Sequence, residues 1–261
     1  MNTLKLMWVH IRTGVLNELQ YRVNFFIQLM ETAVSLTVGL VGLSLVFNHT
    51  TDLRGWSRPE LLMVMGVHIL TGGLIRTMIQ PNMERLMADI QEGTLDYALT
   101  KPADAQVLIS VREFRFWRLT DLVTGLIVMG VALVELRFVV GPWQALAFLL
   151  ALSCGAAMIY SFWLMLTSVA FWVVRVHEMV NLFEGMYAAG RWPVGIYPDW
   201  LRTGLTFLVP VAFAVTVPAE ALTNRLTPQT LAGAAALAVV LFLLARWVWR
   251  RGLRAYSGAS A

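Results

Sequence analysis

The sequence predicts an all-α, polytopic membrane protein, and three observations carry that reading. Residues 138–174 run for 37 positions without a charged side chain and include Trp143, Phe148, Phe162, Trp163, Phe171 and Trp172. A helix needs about 20 apolar residues to cross a bilayer core of about 30 Å, and shorter apolar runs repeat on both sides of this one. Of the 261 residues, 58% are hydrophobic and 14% charged, with a mean hydropathy of +0.66; soluble domains carry about 25% charged residues. A chain this short has too little interior to hide so much apolar surface, so lipid must solvate most of it.

Each element follows from its neighbours. Residues 3–20 place Leu4, Met7, Trp8, Ile11, Val15 and Leu19 at helical spacing among polar residues. That pattern predicts a helix lying in the membrane interface. The stretch lacks the apolar centre and small-residue cleavage site of a signal peptide. Six spans are predicted, at 23–47, 59–80, 120–138, 143–172, 178–192 and 226–248. Asn48, His49, Thr50 and Asp52 end the first. Pro59 opens the second and Pro81 closes it, because proline fits a first helical turn and breaks an interior. Gly66, Gly72 and Gly73 suit close packing of that span against a neighbour.

Residues 81–119 interrupt the pattern with Glu84, Arg85, Asp89, Glu92, Asp96, Lys101, Asp104, Arg112, Glu113, Arg115 and Arg118. They read as a water-facing segment, with 107–119 as a surface helix. Residues 193–225 contain Pro193, Pro198, Pro210 and Pro218. They read as a re-entrant region, since broken backbone at membrane depth has to be buried in protein. Either 178–192 or 203–219 supplies the fifth crossing; 178–192 is preferred.

The bases set the orientation. The N-terminus, residues 76–118, Arg175 and the C-terminal tail together hold 14 of the 20 Lys and Arg. The positive-inside rule places them, and both termini, in the cytoplasm. The net charge of +4 therefore speaks for membrane orientation, with lipid and not nucleic acid as the partner. A six-span count keeps the arginine-rich tail inside.

No enzyme motif is present. There is no P-loop, no HExxH and no G-x-S-x-G. His10, His49, His68 and His177 fall in separate segments, so neither a metal site nor a bound cofactor is expected. The lone cysteine, Cys154, reads as a small packing residue. Four ionisable residues fall inside the spans: Glu31, His68, Arg76 and Glu184. Such residues are costly in a bilayer. They line a substrate path, with the two acids drawing in a cation, or they pair within the bundle, for example with Arg76. A proton-coupled carrier would show ionisable residues recurring in paired half-repeats, and these do not. A membrane enzyme would cluster its acids near one surface.

The strongest local signal is 90–102. Gly93 suits a helix end and Thr94 a helix cap. Leu95 and Leu99 share a face at i, i+4, Glu92 and Asp96 add charge, and Pro102 stops the turn. The order of features is an interfacial helix, six spans, the Glu92-Gly93-Thr94-Leu95-Asp96 … Leu99 … Lys101-Pro102 segment after the second span, and a proline-rich outer hairpin. Tyr197-Pro198-Asp199-Trp200-Leu201, Pro218-Ala219-Glu220-Ala221-Leu222 and the tail Gly252-Leu253-Arg254-Ala255-Tyr256-Ser257-Gly258-Ala259 accompany it. This resembles the permease subunits of ABC-2-type transporters, in particular the compact bacterial six-helix subfamily. The resemblance implies a type V exporter-like transmembrane domain in a bacterial cytoplasmic membrane. It implies a second permease chain, identical or related, and two cytoplasmic ABC ATPase subunits. Glu92, Gly93, Thr94, Leu95, Asp96, Leu99 and Pro102 would then meet the ATPase.

Overall fold

A computed structural model of the protein describes residues 22–101, 104–173 and 177–256. The predicted interfacial helix at 3–20, and the Pro102 and Arg175 positions, lie outside the described residues. Among the described residues all regular structure is helical, apart from one isolated bridge between Leu53 and Trp56.

The first span is α1, Arg22–Phe47. The second is longer than the sequence suggests. Helix α2, Arg58–Leu74, passes through a π-helical turn at Ile75–Ile79 into α3, Gln80–Gln91. Together they form one apolar stretch of 34 residues. Pro81 does not close this helix, because the hydrogen bond it cannot make is replaced. The carbonyl four residues back, on Thr77, accepts from the Arg115 N–H at 3.1 Å, and the Met78 carbonyl accepts from Asn82 Nδ2 at 2.6 Å. A π-turn with a proline beside it is a local widening that neighbouring groups have refilled.

That substitution also corrects the water-facing reading of 81–119. Met83, Leu86 and Met87 are fully buried, and Asn82 and Asp89 are buried with them. Residues 107–119 do not form one surface helix. Helix α4 covers Asp96–Leu99 and α5 only Ala105–Ile109. The backbone then runs irregularly to a 3₁₀ turn at Phe116–Arg118, because its polar groups are engaged elsewhere. The Glu113 N–H donates to Asn82 Oδ1 at 2.9 Å, and the Glu113 carbonyl accepts from Asn82 Nδ2 at 2.8 Å. A buried asparagine thus serves both backbone groups of one residue, as buried polar groups require.

Helix α6 is Leu119–Leu136 and α7 is Pro142–Ser168. Between them Arg137 takes a left-handed conformation, φ 51°. Helix α8 is His177–Ala189 and α11 is Pro228–Ala255. Between α8 and α11 a bent pair runs from α9, Asp199–Thr203, to α10, Val217–Leu222. Two π-turns complete it, and its halves meet at 78°.

Five helical stretches are long and apolar enough to cross a membrane: Phe25–Phe47, Arg58–Gln91, Phe116–Leu136, Pro142–Phe171 and Pro228–Ala255. By length the sixth candidate is the bent pair, not 178–192. Helix α8 has 13 residues, about 20 Å at the α-helical rise. Its contacts nonetheless climb beside α2. Glu184 touches Gln80, Tyr187 stacks on His68, and the Gly195 carbonyl accepts from Arg54 Nη1. The bent pair begins and ends near the same loop: Arg225 beyond it reaches Glu60 at 2.7 Å and the Gly55 carbonyl. Its middle reaches the depth of Thr71, whose hydroxyl donates to the Ala214 carbonyl.

The most intimate contact is α2 on α6. A Cβ on Gly66 would lie 2.9 Å from the Met129 nitrogen, and one on Gly125 would lie 2.6 Å from the Leu70 nitrogen. Only glycine lets the two backbones approach so closely, and close dispersion packing replaces the hydrophobic drive that lipid removes. Ala234 and Ala238 of α11 pack with Met158 of α7, and Cys154 lies at the edge of that cluster. Helix α2 is the central, mostly buried span, whereas α1 and α11 present Phe26, Met30, Val34, Val239, Leu243 and others outward.

Candidate functional site

The four ionisable residues read from the spans meet in one place. Glu31, His68, Arg76 and Glu184 all line a cleft of about 270 Å³. Its floor is α2 and the π-turn; α1 forms one side and α8 the other. Thr32, Asp121, Arg115, Arg118, Tyr187 and Arg191 are among the other polar lining residues, with Leu36, Ile69 and Phe183 among the apolar ones.

Most of these charges are paired, though not as the sequence suggested. Arg76 is held by Asp121 through Nε at 3.1 Å and Nη2 at 2.9 Å. The other oxygen of Asp121 accepts from the Thr32 hydroxyl. Asp121 has almost no exposure, so α6 contributes a buried carboxylate that fixes α1 to the π-turn beyond α2. Sequence reading missed it because Asp121 stands at the start of a span, where an interfacial acid draws no notice. Glu31 pairs with Arg118 at 3.0 Å. Glu184 accepts from Gln80 at 3.3 Å, and Gln80 also donates to Glu84, which pairs with Arg115. Counting the lining alone, four guanidiniums (Arg76, Arg115, Arg118, Arg191) face three carboxylates (Glu31, Asp121, Glu184). The cleft is therefore not the acidic, cation-drawing path expected from Glu31 and Glu184 alone. A site in which guanidiniums match or outnumber acids holds no bias toward cations.

A second polar region sits at the far end of α3. Gly93, at φ 71°, turns the chain so that the Thr94 N–H bonds back to the Asp89 carbonyl at 2.9 Å. This is a glycine-ended helix terminus. Thr94 does not cap α4 as expected; its hydroxyl donates to Asp89 Oδ1 at 3.2 Å. Asp89 also takes Arg85 at 3.1 Å and Arg112 through its other oxygen. One buried carboxylate thus gathers three donors from three segments. Leu95 is fully buried beneath this turn and belongs to the subunit's own core, so it is closed to a partner. Leu95 and Leu99 therefore do not present a common docking face. Glu92, Tyr97, Leu99, Thr100 and Lys101 are exposed, with Tyr97 at 77% the most exposed aromatic of the shelf. Asp104 of the same region pairs with Arg246 near the end of α11 at 2.9 Å.

Among the described residues no three His, Cys, Asp or Glu side chains converge as a metal site. Fold and site together define a polytopic helical membrane protein with a charged cleft among its spans. Residues 33–260 match the family described as ABC-2 family transporter protein, and the chain belongs to that family. It is accordingly a membrane subunit of an ABC transporter. Comparison with curated proteins and with solved structures finds no match.

Proposed function

We propose that this chain is the permease of an ATP-driven exporter in a bacterial cytoplasmic membrane. It works as a pair of permeases, identical or related, on two cytoplasmic ATP-binding subunits that hydrolyse the nucleotide. The single observation that supports this best is the shelf at 92–101. It is rigid from below, through Asp89 and Leu95, and exposed above, through Glu92, Tyr97 and Leu99. A contact that transmits work has to be stiff on the permease side, and a buried carboxylate with three donors gives that stiffness.

The proposed topology puts the shelf, Arg246 and both termini in the cytoplasm, and the Arg54–Gly195 and Glu60–Arg225 contacts outside. Helix α8 with the irregular 190–197 then makes the fifth crossing, and the bent pair dips in from the outer side and returns. The ends of that pair at the Gly55–Glu60 loop support this reading. Export proceeds through the cleft beside α2.

The test is reconstitution. Purified alone, the chain hydrolyses no ATP; with its ATP-binding subunits it does, and Tyr97→Asp with Leu99→Asp removes that activity from the membrane fraction. ATP turnover by the isolated chain, or full coupling in the double variant, would overturn the proposal.

A further inference from the structure

Beyond its ion pairs the cleft holds a guanidinium and an imidazole that no acid engages. The guanidinium of Arg191, just past the end of α8, has no carboxylate partner and no hydrogen bond among the described residues, whereas Arg76, Arg115 and Arg118 are each held by an acid. His68 Nδ1 is buried without a hydrogen-bond partner. The two belong together: both line the cleft, and the Arg191 and Arg76 guanidiniums are the charges that reach the His68 ring.

Their depth makes this arrangement informative. His68 lies ten residues beyond Arg58, where α2 begins, which is about 15 Å along the helix and about half of a bilayer core. An unmatched guanidinium at that depth is costly, and so is a buried imidazole nitrogen with no partner. The other three arginines of this cleft have been given acids. Arg191 and His68 have not, and the neighbouring lining supplies no acid that bonds either of them.

Below them the lining changes character. The His68 ring is stacked on Tyr187 with centroids 4.6 Å apart, Tyr187 on Phe183, and Phe183 on Phe162. Leu36, Ile69 and Phe183 form the apolar part of the cleft wall. A free guanidinium with an unpartnered imidazole nitrogen, beside an aromatic and aliphatic wall, matches one kind of ligand: an acid headgroup on an apolar tail.

We infer that Arg191 and His68 form the headgroup site for an amphipathic anion, a carboxylate or phosphate monoester bearing an alkyl or aryl tail, with the tail along Phe183, Ile69 and Leu36. The Arg191 guanidinium gives two parallel N–H donors, the geometry that a carboxylate or phosphate accepts in bidentate fashion. His68 adds a ring nitrogen at the same oxygens. This inference deepens the export reading by naming a substrate class, and rests on it only for the word substrate. Binding to the permease alone involves no ATPase, so its failure is separable from failure of the coupling proposal.

The experiment uses the full chain in phosphatidylcholine nanodiscs with a dansyl-labelled medium-chain fatty acid as fluorescent probe. Dodecyl phosphate, dodecyltrimethylammonium and inorganic phosphate serve as competitors. The wild type should bind the probe and release it to dodecyl phosphate but not to dodecyltrimethylammonium. Arg191→Gln and His68→Gln should each weaken binding by about tenfold or more, the usual effect of removing a charge-assisted hydrogen bond. Arg191→Lys should retain part of it. Glu184→Gln, which removes a negative charge from the same cleft, should leave binding unchanged or tighten it. Equal affinity in wild type and Arg191→Gln, with elution volume and helicity intact, would overturn the inference. So would displacement by dodecyltrimethylammonium at the same concentration. Inorganic phosphate competing as well as dodecyl phosphate would overturn the tail and with it the amphipath.

Discussion

The shelf at the end of α3 and the cleft beside α2 are both built from buried or half-buried charges, yet they are finished differently. In the shelf one carboxylate, Asp89, draws in Arg85, Arg112 and Thr94, and each of the three reaches it directly. In the cleft Asp121 does the same for Arg76 and Thr32, but Arg191 and His68 Nδ1 stay open. Closed networks hold segments in place. An unmatched guanidinium inside a bilayer is costly, so a ligand that pairs with it is favoured there. On the proposed function, the difference separates a mount from a binding place within one small subunit.

The comparison breaks most visibly at Asp89. Replacing it by Ala strands Arg112, whose side chain is only 20% exposed, and removing one partner of a buried pair costs about 3–5 kcal/mol. Thermal unfolding of the solubilised protein should show a fall of that order; an unchanged midpoint would mean that the shelf is not rigid. Leu95→Ala comes next, at about 2–5 kcal/mol for a truncated core leucine. Tyr97→Ala, two residues on, should stay within about 0.5 kcal/mol of the wild type. This contrast separates the packing side of the turn from its exposed side, and equal effects would erase the distinction. Asp121→Asn should lower stability by about 1.5–3 kcal/mol, as expected for lost hydrogen bonds to a charged group. It should also tighten binding of an anionic amphipath, because Arg76 joins Arg191 as a free cation.

The smallest effect concerns Asp104. Burial works to raise its pKa, but the hydrogen bond and charge of Arg246, with backbone N–H groups at Gln106 and Val107, bring it below the ordinary carboxylate value. A carboxylate depressed in the folded state adds stability above its unfolded pKa and loses it as pH falls through the folded one. Asp104→Asn should therefore lower the unfolding midpoint slightly at neutral pH, and progressively less as pH falls below the ordinary carboxylate pKa of about 4. Because the pair is half-exposed, the difference at pH 7 is small.

Much of this was legible in the chain because the bilayer imposes a simple rule on length and apolarity. The spans around 23–47, 120–138 and 143–172 agree closely with the helical stretches Phe25–Phe47, Phe116–Leu136 and Pro142–Phe171. Glu31, His68, Arg76 and Glu184 were legible as a group, since an ionisable residue inside an apolar run stands out, and they do meet in one cleft. Their pairing was not, because Arg118 and Asp121 come from the rim of another span, and one sequence gives no distance between rims. Residues 81–91 were misread for a related reason. Composition counts charges, but Arg112 and Arg115 return from 23 and 31 residues later in the chain to neutralise Asp89 and Glu84. Pro81 looked like a terminus because the groups that replace its missing bond, Arg115 N–H and the Asn82 side chain, are tertiary or unusual. Leu95 and Leu99 do share a spacing, but spacing does not say which of two leucines the turn buries.

The central claim is that the exposed face of the 92–101 turn is where the ATP-binding subunit sits. The most direct measurement is a cysteine cross-link. With Cys154→Ser removing the chain's single thiol, Tyr97→Cys is labelled in native membranes with a benzophenone maleimide and irradiated, so that the photoactivated ketone inserts into a C–H bond of whatever lies against it. The product is identified by mass spectrometry, and Trp200→Cys, exposed on α9 at the start of the bent pair, serves as the comparison. The account predicts a covalent adduct of Tyr97→Cys with an ATP-binding-cassette subunit and none from Trp200→Cys. An adduct from Trp200→Cys alone would contradict it.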